Sequence, residues 1–390
     1  MHEAENRQRV DAVFTFTDLD PKELHMVNAI ALWQDKNQWT DLLYEPHGRS
    51  LVFQSPTQKE EDNYNGIFAG IQIIGVGGTP SAIRNGFRYG DEEIRLHRVS
   101  DRDCSQALAP IFQKRNITKE GALEMFQRLY APTAGMDQPE AESRRDMTEI
   151  LDEYSKEQRH IAPHFPFITP SLAAEGIYTD KKDPRGKPLH FQAYRTPLLP
   201  RFPTQLTNEV FEHGAEAGIQ KLSAFSFLLG DTLRVLHDSG LAYMDGHMGN
   251  MSLLEKEDEF PRIYITDLGS IKDFSEHPYG DRYRGLDIYA HLLTLEEFFP
   301  YFEHVAKNSK PQPSEEELAN YYWTSGGRSL FEGYFYRSLV KAGAANNPDV
   351  YEVKINEYFK EIVDNYTTNA SNPQNFVTSF EEFYKRESQT

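Results

Sequence analysis

Residues 243–270 read YMDGHMGNMSLLEKEDEFPRIYITDLGS, and this stretch decides the fold class. Two short β-rich pieces, NMSLL and RIYITD, are joined by the acidic turn EKEDEFP, which predicts a hairpin. Asp245 and Asn250 lie just before the first strand, and Asp267 ends the second. Mg²⁺ prefers oxygen ligands, usually one or two carboxylates together with phosphate oxygens. The stretch therefore predicts that Asn250 and Asp267 share a metal-bound nucleotide, with Asp245 available to accept a proton from an attacking group.

The segments on either side of this stretch have a helical period. Residues 219–237 form the strongest predicted helix, which Gly240 is placed to end. Its apolar stripe consists of Leu222, Phe225, Leu229, Leu233 and Leu236. The later run LDIYAHLLTLEEFF is apolar on nearly every side, as expected of a helix buried within a lobe. The chain beyond it is aromatic and mostly helical in pattern.

The first half of the chain is richer in strand signals. From about residue 62 to 100, the runs GIFAGIQIIG, SAIRNG and EEIRLHRVS predict three antiparallel strands joined by tight turns. Residues 116–163 are predicted to be helical, with APTAGMDQPEAESRR as a loop and a shared face made of Met147, Ile150, Leu151 and Tyr154. HFPFITP and LHFQAYRTP are predicted strands. We therefore expect an α+β protein with a small β-rich lobe followed, after about residue 196, by a larger helical lobe.

The run D-x-H-x-G-N from Asp245 to Asn250 resembles the catalytic loop of the aminoglycoside and choline phosphotransferases, a branch of the protein-kinase-like superfamily. Asp267-Leu268-Gly269 stands where that superfamily has Asp-Phe-Gly, and RGLDIYAHLLTL is similar to its following buried helix. The resemblance covers roughly Asn65 to Phe299. It implies a bilobal protein-kinase-like fold that binds ATP and Mg²⁺, with a small β-rich N-lobe and a larger, mainly helical C-lobe. The corresponding divisions are an N-terminal extension (1–64), an N-lobe with inserted helices (65–196), a C-lobe core (197–302) and a helical C-terminal part (303–390).

The resemblance also implies a role for single residues. Asp245 is expected to be the catalytic base, Asn250 and Asp267 to hold the metal, and Asp287 to brace the catalytic loop through its backbone. For His247, we favour a structural histidine that holds the loop over a catalytic one. An alternative interpretation remains for the motif itself: a turn rich in Asp, Gly and Asn, followed by an aspartate that only caps the next element.

The N-terminal lobe matches the family less well. In IIGVGGTPSAIRNG, a glycine-rich loop between strands, the backbone N–H groups of Gly75, Gly77 and Gly78 are expected to approach phosphates. The strand lysine of the family is absent, and EEIRLHRVS offers Arg95 and Arg98 instead. Strand alternation places Arg98 on the same face as an apolar residue that could pack on adenine, which favours Arg98.

The partner of this arginine is expected on a following helix. Glu120 flanks the apolar face of one candidate helix, and Glu124, Glu149 and Glu153 remain possible. Because an arginine spreads its charge over a planar fork, it is not equivalent to a lysine at such a site.

Composition limits the partners. The formal net charge is -19 with 41 Lys and Arg residues, so nucleic acid is not expected as a main partner, whereas a basic protein or small cationic acceptor is compatible. Cys104 is the only cysteine, which rules out an intramolecular disulfide and favours a reducing, cytoplasmic setting. The N-terminal MHEAENRQRV is too polar for a secretory signal, and no apolar stretch approaches the roughly 18 residues needed to cross a bilayer.

Three functions follow as hypotheses. The first is an ATP- and Mg²⁺-dependent phosphotransferase acting on a hydroxyl of a protein or small molecule. The second keeps the fold but transfers AMP to a protein, because the lost lysine would accompany an inverted nucleotide. The third is a catalytically silent pseudokinase, an interaction module whose sequence support is the missing lysine and the Tyr-Met-Asp in place of the usual His-Arg-Asp.

Overall fold

The structure is a computed structural model, and it describes residues 12–32, 42–47, 50–58, 68–76, 87–89, 92–94, 135–162, 164–182, 185–243, 246–255, 260–275, 280–307, 314–343, 347–369 and 373–388. The chain divides into two compact units. The first consists of Met1–Glu153 and Thr169–Leu198, and the second of Tyr154–Ile168 and Leu199–Thr390. Helices and sheets are both present, which confirms the predicted α+β class.

The first unit is built on a six-stranded antiparallel sheet. Its strands are β1 (Ala12–Thr17), β2 (Leu43–His47), β3 (Ser50–Gln54), β4 (Gly70–Ile74), β8 (Ser171–Lys182) and β9 (Pro188–Thr196). Their order across the sheet is β1-β8-β9-β4-β3-β2. Three of these strands come from residues 12–54, within the segment expected to be an N-terminal extension.

Helices pack on both faces of this sheet, and successive residues of a strand point to opposite faces. Ile71 and Ile73 of β4 pack with helix α1 (Pro21–Ala31) in one apolar cluster. Ile74, on the opposite face, packs against Ala141 of helix α2 (Gln138–Ile161). The unit's core therefore lies in two layers, one on each side of the sheet.

Two buried carboxylates fix the helices to the sheet. Glu23 of α1 accepts two hydrogen bonds from the guanidinium of Arg195 on β9. Glu175 of β8 accepts from Gln192 at 2.7 Å and pairs with Arg145 of α2 at 3.3 Å. Because Glu23 is fully buried, loss of Arg195 would leave an uncompensated charge in the core.

The three-strand arrangement predicted for residues 62–100 differs from the observed one. Strand β4 pairs with β3, the strand before it in the chain, and with β9, which lies more than a hundred residues later. Strands β5 (Phe87–Tyr89) and β6 (Glu92–Ile94) pair with each other, in a separate two-stranded sheet. Turn signals predict that strands end, but they carry no information about which strand lies next in a sheet.

Two further predictions in the first half need correction. The stretch predicted as a loop becomes helical at Gln138, because Asp137 accepts a hydrogen bond from the Glu140 N–H at 3.0 Å and Pro139 fits the first turn. Ile150 is 55% exposed, so it does not share the buried face of α2. That face is instead made of Ala141, Arg144, Thr148, Leu151 and Ser155.

The second unit is mainly helical. Its helices are α3 (Phe202–His213), α4 (Ala215–Asp238), α5 (Gly280–Ala306), α6 (Glu315–Tyr321), α7 (Arg328–Lys341), α8 (Pro348–Asn369) and α9 (Pro373–Ser388). The apolar stripe predicted for residues 219–237 lies on α4, and all five of its members are buried. Helix α5 includes the predicted buried run, with Ile288, Leu292 and Leu295 in the core.

Short strands lie among these helices. Strand β10 (Leu241–Tyr243) pairs with β13 (Ile271–Asp273). The hairpin predicted from the sequence is formed by β11 (Met251–Leu254) and β12 (Arg262–Ile265), and β7 (Phe167–Ile168) joins β12 in parallel. No helix among the described residues is both long and apolar enough to span a membrane.

Candidate active site

Asn250 and Asp267 lie at the same end of the β11–β12 hairpin. The last ladder pair at this end is Met251 with Ile265. One residue beyond it, the Thr266 N–H and hydroxyl both donate to the Asn250 carbonyl, each at 2.9 Å. Asp267 follows Thr266 directly. The hydrogen bonds between Thr266 and Asn250 therefore keep the backbone of Asp267 close to that of Asn250.

Asp267 has an unusual backbone conformation. Its φ of 57° and ψ of 45° are left-handed, and no other non-glycine residue among those described has a positive φ. Asp267 precedes the short 3₁₀ helix Leu268–Ser270, yet its side chain makes no capping hydrogen bond to that helix. The capping interpretation of this aspartate is therefore not supported, and the conformational cost is of the kind that persists at functional sites.

The loop that leads to Asn250 is anchored to a buried carboxylate. Asp287, on α5, is fully buried and accepts the Tyr243 N–H at 2.7 Å. The Tyr243 hydroxyl donates to the Thr266 carbonyl. Tyr243 therefore connects Asp287 on one side with the end of the hairpin on the other.

Asp287 lies against two histidines. His237 of α4 donates from Nε2 to the carboxylate at 3.0 Å, whereas His291, one turn along α5, bonds from Nδ1 to the Asp287 main-chain carbonyl at 2.8 Å and has that nitrogen 3.3 Å from the carboxylate. Burial alone would raise the pKa of Asp287, but its contacts with both histidines hold it well below its ordinary value. The group is therefore a carboxylate across the physiological range.

The neighbouring histidine is neutral. Burial lowers the pKa of His237 more than its contact with Asp287 raises it. Because a carboxylate can only accept, Nε2 carries the single proton of the neutral ring, and Nδ1 accepts from the Tyr334 hydroxyl at 2.7 Å. A chain of hydrogen bonds thus runs from Tyr334 on α7 through His237 and Asp287 to the backbone of Tyr243.

The beginning of the D-x-H-x-G-N run is tightly packed. A Cβ added to Gly246 would lie 2.5 Å from His291 Nε2 and 2.5 Å from the Tyr243 ring, so only glycine fits. His247 is buried, and its Nδ1 accepts from the Gly249 N–H at 3.1 Å. Tyr243 and residues 246–249 are therefore each held by contacts with the rest of the second unit or within the run.

Several predicted site residues lie outside the described ranges. These are Asp245, Gly77, Gly78, Arg95, Arg98 and Glu120. Gly75 is described: it follows β4 with a φ of 85°, and a Cβ there would lie 2.7 Å from the His190 carbonyl. Close approach to β9 is thus sufficient to explain this glycine, whether or not its N–H group also meets a ligand.

Thr266 and Arg201 are site residues that the sequence did not reveal. Arg201, at the start of α3, is buried and donates to the Thr266 hydroxyl at 3.2 Å. Thr266 therefore connects Arg201, the Asn250 carbonyl and Tyr243. The signal available in the sequence was a hydroxyl directly before the strand-terminal aspartate, and nothing marked Arg201.

The donor chemistry of the hairpin end fits a hard divalent cation. Asn250 is only 2% exposed and offers an amide oxygen, and half-buried Asp267 offers a carboxylate. Within the described ranges, no group of three or more His, Cys, Asp or Glu side chains is placed to hold a metal ion. Such a group is not needed if the two protein oxygens of Asn250 and Asp267 share the ion with phosphate oxygens of a nucleotide.

Comparisons with known proteins add little to this geometry. No protein-family model matches the sequence, and no curated protein matches it. Among solved structures, the chain is similar to one described as WaaP in complex with acyl carrier protein. The match has 13% identity and a TM-score of 0.27, and it covers 54% of this chain and 74% of the other. At this degree of likeness, the fold and function have to be argued from the chain's own residues.

Proposed function

We propose that this protein has a bilobal protein-kinase-like fold and transfers phosphate from ATP to a hydroxyl of a protein or small molecule, with Mg²⁺ as cofactor. The observation that carries the proposal is the end of the β11–β12 hairpin, where Thr266 holds the backbones of Asn250 and Asp267 together. Support also comes from the order of elements in the second unit: helix α4, the loop, the hairpin and then the buried helix α5. This is the order that the sequence resemblance implies.

In this proposal, Asn250 and Asp267 hold the metal with their side-chain oxygens. Bound Mg²⁺ would neutralise charge on the phosphate oxygens, which is its usual contribution to phosphoryl transfer. The protein supplies fixed geometry: Thr266 sets the spacing of the two ligands, and the left-handed backbone of Asp267 sets the direction of its carboxylate. Such preorganisation avoids reorganisation during the reaction.

Asp245 is the proposed base. It would accept the proton of the acceptor hydroxyl while the hydroxyl oxygen bonds to the γ-phosphorus and ADP leaves with the bridging oxygen. The described residues on either side of it are themselves anchored, because Tyr243 is bonded to Asp287 and Gly246 is packed against His291.

The test is transfer of label from ATP. The purified chain is incubated with Mg²⁺ and ATP labelled at either the alpha or the gamma phosphate, alone and with a cell lysate, and products are separated by mass. Variants Asp245→Asn and Asp267→Asn are compared with wild type. Asp273→Asn, an exposed aspartate at the end of β13, serves as the matched control.

The proposal expects gamma label on an acceptor with wild type and with Asp273→Asn, and none with the two site variants. Equal labelling by the site variants would remove their proposed roles. Transfer of alpha label would instead indicate nucleotidyl transfer. Metal-dependent binding of ATP without any turnover would favour a pseudokinase and contradict the proposed reaction.

A further inference from the structure

A buried tyrosine of α7 is bonded to the histidine that supports the candidate site. Tyr334 is fully buried, and its hydroxyl oxygen lies 2.7 Å from Nδ1 of His237, which is also fully buried. The Tyr334 ring packs in the core, with its centroid 5.1 Å from that of Phe335 and 6.3 Å from that of Phe380 on α9. The ordinary explanation is a core tyrosine whose hydroxyl needs a polar partner. This hydrogen bond differs from others in the core because of the groups that follow it.

His237 can serve Asp287 with only one of its two ring nitrogens. Nε2 lies 3.0 Å from the carboxylate, so this nitrogen must carry a proton. Nδ1 of the neutral ring is then an acceptor, and it receives the Tyr334 hydroxyl. The hydrogen bond at one ring nitrogen sets the position of the proton at the other. Tyr334 therefore keeps the ring in the state and the orientation that donate to Asp287.

The carboxylate of Asp287 receives two hydrogen bonds on the same oxygen. Oδ2 accepts from His237 Nε2 at 3.0 Å and from the Tyr243 N–H at 2.7 Å. Oδ1 accepts no hydrogen bond from the described residues, although His291 Nδ1 lies 3.3 Å away. Neighbouring hydrogen bonds in a buried chain polarise one another. A change at His237 therefore alters the bond between Asp287 and the Tyr243 N–H.

Tyr243 is connected to both parts of the candidate site. Its backbone lies two residues before Asp245, the proposed base, and its hydroxyl donates to the Thr266 carbonyl. Thr266 in turn precedes Asp267 and is bonded to Asn250. A shift of the Tyr243 backbone would therefore move the base relative to the two proposed metal ligands.

We propose that Tyr334 is a positioning residue for the loop of residues 243–250. Its hydroxyl holds His237 in the state that donates to Asp287, and Asp287 holds the Tyr243 N–H. Tyr334 touches no reacting atom in this role. The effect on the loop stands by itself, whereas the effect on phosphate transfer rests on the proposed function. The two effects are therefore measured separately.

The effect on the loop is measured with Tyr334→Phe, which removes the hydroxyl and keeps the ring that packs in the core. The matched control is Tyr322→Phe, because Tyr322 is also fully buried in the second unit and donates its hydroxyl to the Leu295 carbonyl at 2.8 Å. Amide hydrogen exchange, resolved to single residues and corrected for global unfolding, measures opening at Tyr243. This amide should exchange about fivefold faster in Tyr334→Phe than in Tyr322→Phe.

The effect on catalysis is measured as the maximal rate of gamma-phosphate transfer and as the affinity for Mg²⁺-ATP. Affinity depends on Asn250 and Asp267, which Tyr334 does not contact, so it should stay within about twofold of wild type. The maximal rate depends on the position of Asp245 and should fall about fivefold. Tyr322→Phe should change neither quantity by more than about twofold. An unchanged maximal rate beside faster exchange at Tyr243 would contradict the catalytic effect.

A second background separates the hydrogen bond of Tyr334 from its packing. His237→Gln keeps a donor for Asp287 but offers no ring nitrogen to the Tyr334 hydroxyl, so Tyr334→Phe should have no further effect in it. Equal effects of Tyr334→Phe in both backgrounds, or equal exchange in Tyr334→Phe and Tyr322→Phe, would overturn the proposal. If wild type transfers no phosphate, the proposed function fails, and the exchange measurement alone decides the role of Tyr334.

Discussion

Asp267 combines the two features that matter most at the residue scale, a charge and a strained backbone. A left-handed conformation costs an L-residue on the order of 1–2 kcal/mol, and aspartate and asparagine tolerate it better than most. The fold retains this cost at the end of the β11–β12 hairpin, next to the backbone of Asn250. Charge and conformation at this position can be separated by substitution.

Asp267→Asn should remove the function and keep the fold. Asparagine has the same shape and tolerates the same φ, so the free energy of unfolding should stay within about 0.5 kcal/mol of wild type. Loss of the carboxylate should weaken Mg²⁺-dependent nucleotide binding by roughly tenfold or more. Urea unfolding and a fluorescent-nucleotide titration measure the two effects.

Asp267→Ala is the control for the backbone. Alanine lacks both the charge and the tolerance for a positive φ, so it should lose binding and about 1 kcal/mol of stability as well. Unchanged nucleotide binding in both variants would contradict a metal-binding role for this side chain.

The lowered pKa of Lys181 predicts how the stability of the protein changes with pH in alkaline solution. Its pKa of about 8 in the folded state is below the ordinary 10.5, so between these values the unfolded chain binds a proton that the folded chain does not. Stability contributed by this group therefore rises as pH increases through that window. Below pH 8, the charged amine is a constant cost.

Lys181→Met, which keeps the apolar stem, should be more stable than wild type at pH 7 by on the order of 1–3 kcal/mol. The difference should shrink between pH 8 and 10.5 and vanish above it. Denaturant unfolding at several pH values measures this, with Lys182→Met as the control. A difference that does not depend on pH would show that the charge of Lys181 is not the cause.

The β11–β12 hairpin is the element that connects the sequence motif to its supports. Its strands supply regular backbone pairing, but the residues beyond the ladder determine the site: Asn250 before β11, and Thr266 with Asp267 after β12. Thr266 binds the Asn250 carbonyl twice and accepts from Arg201. One residue thus holds the hairpin end: the Thr266 hydroxyl contacts the Asn250 carbonyl and Arg201, and the Thr266 carbonyl accepts from Tyr243.

Thr266→Val tests this connection with little change in volume. The valine removes one acceptor from the buried Arg201 and one donor from the Asn250 carbonyl, which should cost about 1–3 kcal/mol of stability. Nucleotide affinity should fall as well, because the spacing of Asn250 and Asp267 is no longer fixed. Urea unfolding and nucleotide titration of the same preparations separate the two losses.

Thr266→Ser keeps the hydroxyl and is the matched control. It should retain nucleotide affinity and lose only the small amount of packing contributed by the methyl group. If the Thr266→Val and Thr266→Ser variants bind nucleotide equally well, the Thr266 hydroxyl has no positioning role.

At the scale of the whole molecule, the two units differ in where their titratable groups are buried. The first unit has the half-buried Lys181, which titrates on the alkaline side. The second has Asp287 with His237 and His291 in its core. Acid is therefore expected to weaken the second unit through His237 and Asp287.

The direction in which stability changes with pH follows from the lowered pKa of His237. As pH falls below the ordinary 6.5, the unfolded chain takes up a proton that the folded chain does not, so stability decreases by up to about 1.4 kcal/mol per pH unit. Asp287 adds to this loss below its ordinary 3.8, because its pKa in the folded state is lower still. Both groups act in the same direction.

His237→Gln keeps a donor for Asp287 and removes the titration. It should lower stability at pH 7 and flatten the dependence of stability between pH 5 and 6.5. Hydrogen exchange of peptides from α4 and α7, corrected for intrinsic rates, measures this within the second unit. His213→Gln, at an exposed histidine of α3, should leave the dependence unchanged. A steep acid dependence in the His237 variant would exclude this histidine as its source.

The local sequence pattern was sufficient to predict two elements of the second unit, helix α4 and the β11–β12 hairpin. Five apolar residues at helical spacing predicted α4, and two β-rich runs with a turn predicted the β11–β12 hairpin. In both, the partners that form the element are close in sequence, so period and turn chemistry determine it. The positions of Asn250 and Asp267 next to that hairpin were visible for the same reason.

Only the tertiary structure decided the rest, because the deciding contacts join residues far apart in the chain. Strand β4 pairs with β9, more than a hundred residues later, and Glu23 of α1 binds Arg195. Arg201 reaches Thr266, and His237 reaches Asp287, with no local pattern to announce either. Sequence alone determined the helix at residues 219–237, the β11–β12 hairpin and the oxygen-bearing side chains of Asn250 and Asp267 beside it. Long-range packing decided which side chains surround those two residues, since burial and hydrogen-bond partners depend on the folded chain.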